Sequence, residues 1–581
     1  MNSWRRREVL VLGAGGLISC APSPGAYFGN TAPPHSRTLV HTLPVEPESL
    51  DPALSTGSSE FWVIPALLEG LTQYHPRLPQ PMAALATHYE VSADASRFTF
   101  YLRGHPSPRG TAFPNGDSLP EEFTRGRHAA PDCVPARWSD GRVLTAHDFV
   151  YSWRRFLHPR TAAPLAYQLH YVSNAEEINK GKRDPEELGV LALDDFTFQV
   201  NLRSPTPFFL HLITQYIFSA VPRHAVEAAR QLGNESLWIQ PGRMLSSGPF
   251  RLKDWRRYER ISAVRNPLYY DSGMVDIEEL CFTPVVDGTT TVNLYKSGEV
   301  AAMPGISFPY VFIPAMGGKR DFHIEPAFGL FCPVMSVQKP PLDNVLLRYA
   351  LNMATQKQPV CDFLGGGRLP ARNVVAPVPG YRGPDSVIVD IDGHPYDVLK
   401  FDPEAARSLL AKAGIRSPEI TFHFPQLPES APRAEMLRQQ WQRNLGIRLK
   451  LAPREFNVHW SMVLAGEYTG VADYAFMPLY YDPNPFLDPF ATAGAGNPSG
   501  WTNEEFRSML ADANRTLDRG ERMAKLAECE ERLLRDMPSI PIYFDVWAYL
   551  RKPFVRGLTS NLFDTRAFKY AWIDRNWRSD A

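Results

Sequence analysis

Between Phe196 and Leu202 the chain alternates, with Phe196, Phe198, Val200 and Leu202 apolar and Thr197, Gln199 and Asn201 polar between them. A period of two places the apolar set on one face of a half-buried strand. Ile447, Leu449 and Leu451, separated by Arg448 and Lys450, predict another. Helical spacing is equally legible. Behind Thr145, whose hydroxyl suits an N-cap, Phe149, Trp153, Phe156 and Leu157 recur at three- and four-residue steps and form one stripe. Asp402 as cap, Pro403 in the first turn, apolar Ala406, Leu409, Leu410 and Ala413, and Gly414 beyond make a second complete helix signature. Strands and helices interleave throughout, which sets the class as α/β grading into α+β.

One stretch departs from both periods. Phe476 to Phe490 reads Phe-Met-Pro-Leu-Tyr-Tyr-Asp-Pro-Asn-Pro-Phe-Leu-Asp-Pro-Phe. Its prolines remove backbone donors and oppose helix, so it is expected to run extended and irregular. Its aromatics call for burial or a partner surface, and Asp482 and Asp488 are costly to bury without a cationic or hydrogen-bonded partner. That mixture suits the wall of a ligand site.

The chain has 581 residues, enough for two or three lobes. With 61 Lys and Arg against 62 Asp and Glu the net charge is -1, which offers no long-range attraction to nucleic acid. Residues 1–20 read as a targeting segment: Trp4-Arg5-Arg6-Arg7, an apolar run from Val9 to Ile18, then Leu17-Ile18-Ser19-Cys20. The last four residues have the form of a lipoprotein cleavage box, with lipid on Cys20 and residues 21–36 as a tether. The other five cysteines show no metal-ligand spacing, and buried free thiols are expected for most of them.

Further motifs carry a family resemblance. Glu46-Pro47-Glu48-Ser49-Leu50-Asp51-Pro52, Glu69-Gly70-Leu71, the segment Asp94 to Arg103, Trp138-Ser139-Asp140-Gly141, and Thr145 to Arg155 follow one another in order. Ser247 to Trp255, Asn266-Pro267-x-Tyr269-Tyr270, Lys339 to Asn344, Asp402 to Ala406 and Ile540 to Phe544 continue the series. Together they resemble the extracellular solute-binding proteins of peptide-type ABC importers, the oligopeptide-binding type. The resemblance implies a periplasmic-binding-protein-like α/β fold, two lobes about a hinge with an additional domain. It divides the chain into domain I (37–79, 223–328 and 546–581), domain II (80–222) and domain III (329–545). Gly104 to Arg137, rich in Pro, Arg and Asp, is an insertion expected to be a surface excursion at one lobe's edge.

By the same resemblance an extended peptide lies between the lobes. Gly57 and Ser58 offer backbone groups, Tyr151 reaches in from domain II, and Phe456 with Phe476, Met477, Pro478, Leu479 and Tyr480 lines domain III. The implied partners are a peptide or other small extended ligand and an ABC permease. A monomer without cofactor or metal is expected.

The departures bear on specificity. Such peptide binders carry an aspartate before the tyrosine of an Asp-Tyr-x-acidic-Pro pattern, where it meets the ligand's amino group; here that position is Leu479. Positions where charged groups meet the ligand's polar ends fall on Val334 and Val463. Asp482 and Asp545 are the candidate replacements, Asp545 first, as a lone carboxylate ending an apolar strand. Should both pair with protein arginines, a neutral, amino-blocked or non-peptide ligand is implied. No G-x-S-x-G elbow, H-E-x-x-H pair or Walker loop occurs, so binding without chemistry is the expected function.

Overall fold

The computed structural model describes residues 26–416, 418–492 and 496–578; Cys20 and the targeting segment lie outside them. Its elements condense around two large apolar cores. The first takes in two sheets. In one, Thr38–Leu43 pairs parallel with Glu279–Pro284, which continues antiparallel to Arg260–Arg265 and Phe250–Arg256. The other is antiparallel, ordered Thr111–Ala112, Ala86–Val91, Arg97–Leu102, Thr197–Asn201, Val190–Asp194. Phe198 and Val200 in its fourth strand are buried, as the alternation requires.

Helix Ala146–Leu157 covers that sheet. Thr145 and Asp148 close a capping box at its start, and Phe149 and Trp153 pack on Phe198 with ring centroids 5.5 and 5.2 Å away. The helix is also tied to the loop that follows Thr38–Leu43 and to the short helical turn Glu235–Ile239 through Arg155. Its guanidinium takes both oxygens of Asp51 at 3.0 and 2.5 Å and Glu235 at 2.6 Å, and Trp238 donates to Asp51 at 3.1 Å. Asp51 belongs to the first motif of the chain and Arg155 to the fifth, so their joint occurrence has a physical cause.

The insertion is not a free excursion. Leu119 and Phe123 pack with Met82, Met274 and Tyr570 in a small core of their own. Arg125 pairs with Asp276 at 2.7 Å, and the Trp572 indole donates to the Glu122 carbonyl at 3.1 Å. A polar segment with two well-placed apolar side chains can dock in this way, and composition alone hid those two.

The second core gathers around Trp441, Phe422 and Leu526. Glu419–Pro425 is central in its sheet, parallel to Arg448–Arg454 and to Val471–Ala472, with Val334–Met335 at the edge. Asp402 caps helix Pro403–Lys412 by accepting from the Ala405 N–H at 3.0 Å. Cys281, Cys332, Cys361 and Cys529 are buried free thiols, and Cys133 is an exposed one.

A two-stranded ribbon, Phe322–Phe331 against Tyr543–Leu550, crosses between the bodies. Phe322, Tyr549 and Leu550 pack beside Tyr295 at one end, and Phe331 and Tyr543 enter the second core at the other. Its register runs regularly to Pro326↔Val546 and resumes at Leu330↔Phe544. Ala327, Phe328 and Gly329 therefore face Asp545 alone, a bulge that interrupts the ladder between the two bodies.

Helix Arg519–Asp536 buries Glu530, whose carboxylate accepts from the Val374 and Val375 N–H groups at 2.5 and 2.7 Å and from the Tyr381 hydroxyl at 2.6 Å. Burial pushes its carboxyl up to about 7, against those hydrogen bonds. The folded state thus holds this proton more tightly than the unfolded chain, and the associated stability is lost as pH rises from about 4.5 to about 7. Melting temperature measured across that window should fall more steeply in the native protein than in Glu530→Gln; equal slopes would contradict the assignment.

Candidate functional site

The proline-rich stretch occupies the junction of the two bodies; residues 477–483 run irregularly, as expected, but the chain on either side is regular. Ala475–Phe476 is a strand pairing antiparallel with Leu330–Phe331, and Asn484–Ala491 is a helix. Pro485 lies in the helix's first turn, where its missing N–H has no partner to lose. Pro489 is interior, but the helix ends two residues later and buries Phe486, Leu487 and Phe490. Apolar burial here prevails over proline's opposition to helix.

Between strand and helix the chain is clamped. Tyr480 stacks on Phe208 of the other body at 5.6 Å, and the Tyr481 N–H donates to the Tyr74 hydroxyl at 2.9 Å. Asp482 is fully engaged. Arg522 donates to its two oxygens at 2.7 and 2.8 Å, the Asn484 N–H adds a third bond at 2.9 Å, and the two side chains are only 7% and 3% exposed. Burial opposes the charge on Arg522, but the Asp482 carboxylate outweighs it.

Asp545, at the ribbon's bulge, is engaged too. It accepts from Arg368 Nε at 2.8 Å and from the Val546 N–H at 2.8 Å, while Arg368 also reaches the Gly365 carbonyl at 3.1 Å. Both acids placed by sequence as amine anchors therefore have arginine partners. Asp482 lies 40 residues from its arginine and Asp545 lies 177 from its own, separations that carry no local signal.

The other expected residues divide. Gly57 and Ser58 are half-buried in the loop before helix Glu60–Leu67, and a Cβ on Gly57 would stand 2.4 Å from Glu60 Oε2, so a side chain there would collide. Phe61 next to that loop packs against both cores. The Tyr151 hydroxyl donates to Glu227 at 2.6 Å within its own body. Phe476 and Tyr480 are buried, Met477 is 39% exposed, and Pro478 and Leu479 are half-buried. Phe456, 42% exposed, begins an aromatic file that leads inward through Trp460, Tyr474 and Phe476 at spacings of 6.2, 5.1 and 4.7 Å. Val334 and Val463 are core residues.

Across from this wall the first body presents Tyr167 and Tyr171. Tyr167 is 54% exposed, and the Tyr171 hydroxyl accepts from Asn484 Nδ2 at 3.3 Å. Neither had a periodic or motif signal in the sequence. The two-residue strand Ala475–Phe476 ends the ribbon's sheet, and among the described residues no further strand pairs with its outer edge at the junction. Among the described residues no three His, Cys, Asp or Glu side chains gather as a metal site, and no helix is long and apolar enough to cross a membrane.

Two bodies joined by an interrupted ribbon, with an open strand edge and aromatic walls at their junction, define a two-lobed binding protein. The chain belongs to the bacterial extracellular solute-binding proteins, family 5, whose middle-region model matches residues 135–498. It is 30% identical over 534 residues to the periplasmic oligopeptide-binding protein OppA of Salmonella typhimurium, covering 90% of each chain. The Escherichia coli murein tripeptide binding protein MppA superposes with a TM-score of 0.77 at 25% identity, over 94% of this chain and 99% of that one. Haemophilus influenzae OppA in complex with RPPGFSPFR gives 0.76 at 26% identity, over 93% and 99%.

The ion pair at the junction predicts a stability effect. Asp482→Asn leaves the Arg522 guanidinium buried without its counter-charge, and should cost about 3–5 kcal/mol in urea unfolding. The double variant Asp482→Leu/Arg522→Met should recover most of that loss. An unchanged unfolding midpoint in Asp482→Asn would show that the pair does not hold the junction.

Proposed function

We propose that this protein captures extended peptides between its two bodies and delivers them, chemically unaltered, to an ABC import permease. The observation that carries the reading is the open edge of strand Ala475–Phe476 beside the bulged ribbon. An extended main chain can add to such an edge, with hydrogen bonds supplying affinity independent of side-chain identity. The aromatic file from Phe456 and the facing Tyr167 then give apolar contact to whatever side chains the peptide carries. The names of the oligopeptide-binding relative and of the nonapeptide complex support the same ligand class.

Closure follows from where the contacts lie. A ligand touching both walls favours the closed arrangement over the open one, and the ribbon bulge at 327–329 is the place where the backbone can bend at least cost. Capture takes place outside the cytoplasmic membrane on a monomer tethered through lipid on Cys20. The domain limits at 328/329 and 545/546 would then coincide with the hinge.

Native mass spectrometry of the protein as purified, and after exposure to a mixed pool of tri- to pentapeptides, tests this. Non-covalent peptide adducts that are released with unchanged mass are expected. An absence of adducts under both conditions, or release of shortened peptides, would contradict the proposal.

A further inference from the structure

Helix Asn484–Ala491 turns one polar face toward the other body. Asn484 on that face donates to the Tyr171 hydroxyl at 3.3 Å, and Asp488, one turn later, projects from the same side. Among the described residues no hydrogen bond or ion pair reaches the Asp488 carboxylate. This distinguishes it from Asp482 and Asp545, each held by an arginine. The cation that faces it, Arg203, is engaged elsewhere, bonded to Glu176 at 3.3 Å with its guanidinium 5.9 Å over the Tyr171 ring. Tyr167 and Tyr171 of the other body lie close enough to the Asp488 carboxylate to feel its charge, and Asn484 Nδ2 also donates to the Tyr480 hydroxyl at 3.0 Å.

A half-buried carboxylate with no ion-pair partner is a place where a bound cation is stabilised, since desolvation penalises the lone charge and aromatic faces favour cations. Burial pushes the Asp488 carboxyl up to about 6, with Arg203 opposing the shift incompletely. Leu479 removes the acid that the family resemblance would place on this wall, and Asp488 lies on the same wall, beyond the clamp at Asp482.

Resting on the peptide-binding reading above, we propose that Asp488 receives the protonated amine or guanidinium of the ligand, in the crevice between helix Asn484–Ala491 and the segment Tyr167 to Tyr171. The ligand class is thereby narrowed to peptides with a free cationic group, in place of amino-blocked or neutral ones. On lobe closure the tyrosines supply a water-poor surround in which the charge-assisted bond strengthens.

The test is competition within one pool of tri- to pentapeptides free of Lys, Arg and His, half of it N-acetylated, read by native mass spectrometry and titration calorimetry on the full chain. The native protein should favour free-amine members. Asp488→Asn should lose roughly ten- to a hundredfold of affinity for them while binding the acetylated members as before. A native protein that binds both halves equally overturns the anchor but leaves peptide capture standing; binding of neither half overturns both. If Asp488→Asn and Arg203→Gln weaken free and acetylated peptides alike, the carboxylate serves a contact between the bodies and the proposal fails. Asp488→Glu, which keeps the charge, should retain the preference and guards against a purely structural effect.

Discussion

The pair between Asp482 and Arg522 is the contact on which the binding region depends. It lies where the chain leaves an edge strand, crosses toward the other body and starts a helix, and all three features need that turn fixed. Two buried charges are tolerable only because the guanidinium meets both carboxylate oxygens and a backbone N–H completes the set. Tyr480 on Phe208 and the Tyr74 hydroxyl at Tyr481 act on the same few residues from the opposite side. With the turn held, the edge strand and the half-buried side of the helix keep a constant relation to each other.

The residues that make the chain resemble its family mostly do structural work elsewhere. Asp51 meets Arg155 inside the first core. Glu69 accepts from the Tyr269 and Tyr270 hydroxyls at 2.5 and 2.8 Å, and Arg103 stacks over Tyr270 at 3.9 Å. These groups come from five separate motifs and satisfy one another in two interior clusters, Asp51 with Arg155 and Glu69 with Tyr269, Tyr270 and Arg103, so each is constrained by its partners. They can therefore persist while the residues facing the ligand change.

How much was legible in the sequence follows the range of the forces involved. The helix behind Thr145 and the strand at Phe198 are set by neighbours within a few residues, and both are as the pattern predicts. The second half of the proline-rich stretch departs from the pattern because local backbone preference favours extended chain, while burial of Phe486, Leu487 and Phe490 favours helix. The insertion lies at the surface, but its anchoring is not legible locally, since Leu119 and Phe123 find their pocket on residues distant in sequence. Asp482 and Asp545 were recognised as acids needing partners, but not that Arg522 and Arg368 supply them. Tyr167 stands opposite the site only through the packing of two bodies, which no local pattern encodes.

On this reading the two cores move toward each other around an extended guest. Small-angle X-ray scattering of the full chain, without peptide and with a saturating peptide pool, measures this most directly. A smaller radius of gyration and a shortened maximum dimension are expected when peptide is bound, reversed on its removal. Identical scattering curves, with binding verified in the same samples, would contradict it.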